Sequence, residues 1–135
     1  MDTDTLRARL EAFYHARVRN DLEATLTIFS EDAVIHYAGD PAASDFARRV
    51  EGAADIAATC REVVDTWRWE SWTALAFLVD GNEAMVRSQL VCTHAPSGRQ
   101  FETQLVDHWV FDDDGKARAI TEFTDMALPA HLLKD

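Results

Sequence analysis

The spacing of apolar residues divides the chain into a helical first half and a strand-rich second half. Leu6, Leu10 and Phe13, with Tyr14 beside them, recur at helical intervals and predict a first helix beginning near Thr5. Arg7, Arg9, Glu11 and Arg19 suit its wet face. Asn20-Asp21 interrupts the pattern, and Asp21 is a good N-cap for a second helix in which Leu22, Leu26 and Phe29 share a face. Residues 33–38 read as a short strand, with Ala33, Ile35 and Tyr37 on one side and Val34 and His36 on the other. The stretch 39–50, with Gly39, Pro41 and mixed charges, reads as an irregular loop. Gly52 then precedes a third helix whose apolar side carries Ile56, Cys60, Val63, Val64 and Trp67.

From Ser71 the period changes to two. Residues 72–79 are almost wholly apolar, as in a strand covered on both faces, and Asp80-Gly81-Asn82 predicts a hairpin turn. In 84–93, Val86, Ser88, Leu90 and Cys92 stand opposite Arg87, Gln89 and Val91. After the Pro96-Ser97-Gly98 turn comes a long strand, 101–111, and Asp112-Asp113-Asp114-Gly115 leads into a last strand, 117–126. Helices followed by four antiparallel strands predict an α+β fold, in which a curling sheet needs the helices to cover one face.

At 135 residues this is one domain, spanning 1–135, and long enough to form a core without metals or disulfides. The 24 Asp+Glu against 13 Lys+Arg give a net charge of −11, which disfavours nucleic acid and anionic membranes as partners. Two cysteines, Cys60 and Cys92, suggest no disulfide framework. The acidic start, Met1-Asp2-Thr3-Asp4, lacks the basic and apolar runs of a signal peptide, so the expected location is cytoplasmic. None of the five histidines forms a ligand spacing, and neither metal nor cofactor is expected.

Three stretches carry a family resemblance. Asn20-Asp21-Leu22 through Ile28-Phe29-Ser30-Glu31-Asp32-Ala33-Val34 is similar to a helix-to-strand passage. Glu51-Gly52-Ala53-Ala54-Asp55-Ile56 looks like a helix start. Val106-Asp107-His108-Trp109-Val110-Phe111, Asp114-Gly115-Lys116 and Glu122-Phe123-Thr124-Asp125 look like paired last strands. In this order they resemble the nuclear transport factor 2-like superfamily, in its ketosteroid isomerase and SnoaL-like polyketide cyclase branch. The resemblance covers nearly the whole chain. It implies a cystatin-like, cone-shaped α+β barrel, with three N-terminal helices on a curved, mostly antiparallel sheet, and a pocket for a small apolar or aromatic molecule.

Asp107 is the leading candidate for chemistry. Alternation places it with Leu105, Trp109 and Phe111, where desolvation favours a neutral carboxyl able to donate to an oxyanion. The resemblance places it at ketosteroid isomerase's protonated oxyanion-hole aspartate. That enzyme's catalytic tyrosine falls at Phe13, one residue before Tyr14, and its general-base aspartate at Tyr37, a hydrogen-bond donor rather than a base. Steroid double-bond isomerisation is therefore not expected. Glu122, alternating with Ile120 and Thr124, shares the concave side with Asp107; Glu122 or Asp40 would be the base, Asp40 only if its loop folds inward. Phe13, Tyr14, Trp67, Trp109, Leu105, Ile120 and Thr124 are the expected ligand-binding residues. His36 and His108 face away from the pocket, and His94 stands near a turn at its mouth. Val91, Val106, Val110 and Gln89 on the outer face suggest a homodimer through the sheet. Two readings stay open: a cofactor-free isomerase, cyclase or lyase, and a non-catalytic ligand-binding or dimerisation module.

Overall fold

The computed structural model describes residues 2–125 and 131. Helix α1, Thr3–Val18, is capped at its start by the Asp2 carboxylate, which accepts from the Thr5 amide at 2.8 Å. At its end Asn20 takes a left-handed φ of 57°. The Asn20 amide there donates to the Arg17 carbonyl, and the Asp21 amide to that of Ala16. This paired closure stops the helix, and asparagine tolerates the conformation it needs. Asp21 then caps α2, Leu22–Leu26, accepting from the Ala24 amide at 3.0 Å.

Strand β1 is Phe29–Tyr37, β2 is Arg49–Glu51 and helix α3 is Ala53–Thr66. Four long strands follow: β3 (Trp67–Asp80), β4 (Glu83–His94), β5 (Arg99–Phe111) and β6 (Ala117–Thr124). They form one open, six-stranded sheet in the order β2-β1-β6-β5-β4-β3. Every pairing is antiparallel except β1 with β6. The fold is α+β: three helices cover the concave face, and the sheet does not close into a barrel.

The predicted elements differ from the observed ones in five places. Phe29, read as part of the second helix, begins β1, which starts four residues before the predicted strand. The stretch read as loop contains β2, three residues paired only with β1. Trp67 does not extend the third helix; its amide makes the last helical bond, to the Val63 carbonyl, and its side chain begins β3. Strand β3 is an edge strand with alternate residues exposed, not a strand covered on both faces: Leu75 and Leu78 reach solvent. The last strand ends at Thr124; Met126 lies outside the described residues.

The core sits between the helices and the inner sheet face. Leu6, Leu10 and Tyr14 of α1 meet Val86, Leu90, Trp109 and Phe111 of the central strands, all buried. Each fully buried aliphatic or aromatic side chain contributes about 1.5–3 kcal/mol relative to exposure. Among the described residues no helix is long and apolar enough to cross a membrane.

Candidate functional site

Strand alternation carries Leu105, Asp107, Trp109 and Phe111 of β5 to the inner face, where all four are buried. Asp107 pairs across the sheet with Glu122 of β6, so the two carboxyls are nearest neighbours on the same face. Asp107 is 1% exposed. Its Oδ2 accepts a 2.6 Å hydrogen bond from the Tyr14 hydroxyl, which in turn accepts from Trp109 Nε1 at 3.1 Å. Asp107 Oδ1 is buried and receives no hydrogen bond from a described N–H or O–H donor; the Glu122 carboxyl is its cross-strand neighbour. The directions matter chemically. Trp109 occupies the acceptor side of the Tyr14 oxygen and orients its proton onto Oδ2, so a proton on Asp107 belongs on Oδ1.

Burial, and then the neighbouring Glu122, push the Asp107 carboxyl well above the usual carboxylate range, against the lowering effect of the Tyr14 bond. Burial also raises Glu122, while Arg17 and the hydrogen bond from Asp107 pull it back. The pair therefore shares protons, with Asp107 as the neutral donor and Glu122 as the member held closer to ionisation. Burial likewise holds the Tyr14 and Tyr37 hydroxyls protonated.

These groups meet a cavity of two lobes. The inner lobe, about 30 Å³, touches Phe13, Tyr37, Asp107 and Ile120. The outer lobe, about 50 Å³, touches Trp67, Phe101, Leu105 and Thr124. Arg17, Val63, Trp69 and Glu122 line both and form the partition. Cys60 borders the inner lobe and Cys92 the outer; burial pushes each thiol up to about 11, so neither is a ready nucleophile.

Of the residues singled out in the sequence, Asp107, Glu122, Tyr37, Phe13, Trp67, Leu105, Ile120 and Thr124 come together at this cavity. Three take other places. Asp40 is exposed, and its carboxylate accepts from the Ala42 amide at 2.9 Å in a local turn, so its loop does not fold inward. Tyr14, an expected ligand-binding residue, does not line the cavity. It is 0% exposed, stacked on Trp72 with ring centroids 4.7 Å apart, and supports Asp107 from behind. Trp109, also 0% exposed, packs edge-on against Phe13 and lies behind the wall. His94 is bonded to Ser97, and His108 faces outward and hydrogen-bonds Glu83 at 2.8 Å.

Trp69, Phe46 and Phe101 also line the lobes without having been singled out from the sequence, and Arg17 is the charged residue among those missed. It is 8% exposed, its guanidinium carbon lies 4.2 Å from the Trp69 ring centroid, and its Nε and Nη2 are buried without partners. A signal existed: Arg17 continues the Leu6, Leu10, Phe13 stripe at helical spacing, which places a cation on the face turned to the core. Among the described residues no group of three His, Cys, Asp or Glu side chains is arranged to hold a metal.

A family model for the SnoaL-like domain matches residues 10–120. Solved structures share the fold at low identity. A candidate isomerase from Bacillus subtilis superposes with a TM-score of 0.83 at 18% identity, covering 97% of this chain and 96% of that one. TerC, co-crystallised with polyporic acid, gives 0.78 at 17% identity, with 96% and 98% covered. A candidate SnoaL-like polyketide cyclase from Jannaschia gives 0.75 at 15%, with 92% and 88% covered. No curated protein matches the chain in sequence.

Proposed function

The chain belongs to the SnoaL-like domain family, and from that premise we propose that it is a small-molecule enzyme working by cofactor-free proton transfer, an isomerase, cyclase or lyase for an apolar cyclic substrate. The observation that carries this reading is Asp107 Oδ1: buried, shared only with the Glu122 carboxyl, and on a carboxyl whose other oxygen is fixed by Tyr14. A neutral acid so held donates a hydrogen bond to an oxygen on which charge develops. Glu122, raised but less protected from ionisation, is the base. It takes a proton from the carbon beside a carbonyl, the electron pair moves onto the carbonyl oxygen as an enolate, and Asp107 stabilises that oxygen. Return of the proton to a different carbon isomerises the substrate; collapse of the enolate onto another centre cyclises it, or expels a leaving group. That TerC, of the same fold, was co-crystallised with polyporic acid supports a small organic molecule as ligand.

Proton exchange tests this without knowledge of the substrate. Cyclic ketones such as 2-tetralone, incubated in heavy water, should exchange their α-hydrogens faster with the protein than in buffer, as followed by NMR. Asp107→Asn should slow the catalysed rate by about 10²–10³-fold, the usual effect of losing one oxyanion donor.

One observation favours the other reading, a non-catalytic ligand-binding or dimerisation module. Lobes of about 30 and 50 Å³ are far below the roughly 300–1,000 Å³ of ordinary ligand pockets. Saturable binding with no exchange above buffer on any ketone would establish the module.

A further inference from the structure

The proton-transfer cycle above makes no use of Arg17, although Arg17 is the one cation lining the cavity among the described residues. A buried charge is expensive unless paired and hydrogen-bonded. Stacking on Trp69 offsets part of that through the ring's negative face. Glu122 is near enough for the Arg17 charge to act on it but accepts no hydrogen bond from Nε or Nη2. The two orphaned nitrogens, Nε and Nη2, lie on one edge of the guanidinium. That edge gives two parallel N–H bonds, the fork that matches the two oxygens of a carboxylate.

The location is equally specific. Arg17 stands with Glu122 in the partition between the lobes, so an anion held there has its remaining atoms in the inner lobe, beside Asp107, or in the outer lobe, beside Trp67 and Phe101. The surroundings are aromatic: Trp69 lies under the cation, and Phe46, Trp67 and Phe101 line the outer lobe. We propose that Arg17 anchors a carboxylate carried by the substrate, which is therefore a cyclic or aromatic carboxylic acid bound as its anion. This rests on the reading of the cavity as a ligand site and narrows its substrate class. The anchor fixes the distance from the carboxylate to the reacting carbon, because Arg17 on α1 and Asp107 on β5 both sit on rigid elements.

Calorimetric titration of the full chain with 2-naphthoate and its neutral isostere 2-naphthamide tests the anchor. The naphthoate should bind at least about tenfold more tightly, as expected for hydrogen bonds to a charged group. Arg17→Met should bring the two affinities together while amide binding persists. Arg17→Lys, which keeps the charge but loses the fork, should lose most of the preference, and it decides the matter if Arg17→Met does not fold. Equal affinities in the unmodified protein, or a preference unchanged in the Arg17 variants, overturn the anchor while leaving the pocket standing. An Arg17-dependent preference without α-hydrogen exchange of a cyclic ketone that also carries a carboxylate, such as a tetralone carboxylic acid, overturns the proton-transfer reading and keeps the anchor. No binding of either compound overturns both.

Discussion

Asp107 and His108 are adjacent in β5, yet they belong to different solvents. Asp107 pairs with Glu122 on the concave face, under α1, with its carboxyl sealed from water. His108 turns to the convex face and meets Glu83 of the neighbouring strand β4 at 2.8 Å, with both side chains partly in solvent. Both are ionisable pairs formed by cross-strand neighbours. On the convex face water screens the partners, and such a surface contact is of small consequence. On the concave face there is no such screening. Two carboxyls there cannot both ionise freely, and the protein responds by holding Asp107 protonated. One step along a strand thus converts an ordinary surface contact into an acid with an unusual protonation state.

Stability against pH is the strongest way to test that contrast. The Asp107 carboxyl titrates higher in the folded chain than in the unfolded one, so the folded state binds the extra proton. Its contribution is full below the ordinary carboxyl pKa near 4 and is lost as pH rises towards the folded value, at up to about 1.4 kcal/mol per pH unit. Urea midpoints should therefore fall on going from about pH 5 to about pH 8, and Asp107→Asn should flatten that fall. An unchanged slope in the variant would mean that Asp107 ionises as though exposed.

A smaller effect is expected for Tyr14→Phe. It removes the donor to Oδ2 and leaves Trp109 Nε1 without its acceptor, a loss of about 1–3 kcal/mol. Because the Tyr14 bond lowers the Asp107 pKa, the variant's stability should keep falling to higher pH than that of the parent. Equal stability and an unmoved pH profile would show that the bond does not hold Asp107. The smallest effect belongs to the convex face: Glu83→Gln should change stability by less than about 1 kcal/mol. A larger loss that grows on dilution is what a second copy covering this face would produce, the arrangement suggested by Val106 and Val110 and by the exposed Met85 and Phe123.

Much of this arrangement was legible in the sequence because strand alternation is strict. It placed Asp107 with Leu105, Trp109 and Phe111, and turned His108 away, before any register was known. The Asn20-Asp21 boundary was legible because both residues act locally, one as a left-handed stop and the other as a cap. What escaped depended on tertiary contact. Strand β2 is three residues long and exists only by pairing with β1. The passage from α3 into β3 at Trp67 has no glycine or proline to mark it. Tyr14 and Phe13 are equally good core aromatics in sequence, and only the position of Asp107 decides which one bears a functional hydroxyl. Arg17 escaped because a charge in a helix is ordinarily assigned to solvent.

The parallel seam between β1 and β6 bears on the order in which the molecule assembles. The β3–β4, β4–β5 and β5–β6 pairings close between successive strands, whereas β1 must wait for β6 from the far end of the sheet-forming sequence. Chain-closure entropy favours the successive hairpins first. Asp107 and Glu122, joined by the last of those hairpins, then come together while still hydrated and free to ionise. In that order Asp107 would take up its proton only when the α1–β1 segment closes over the pair, and a pH indicator followed during refolding should register proton uptake as a late step.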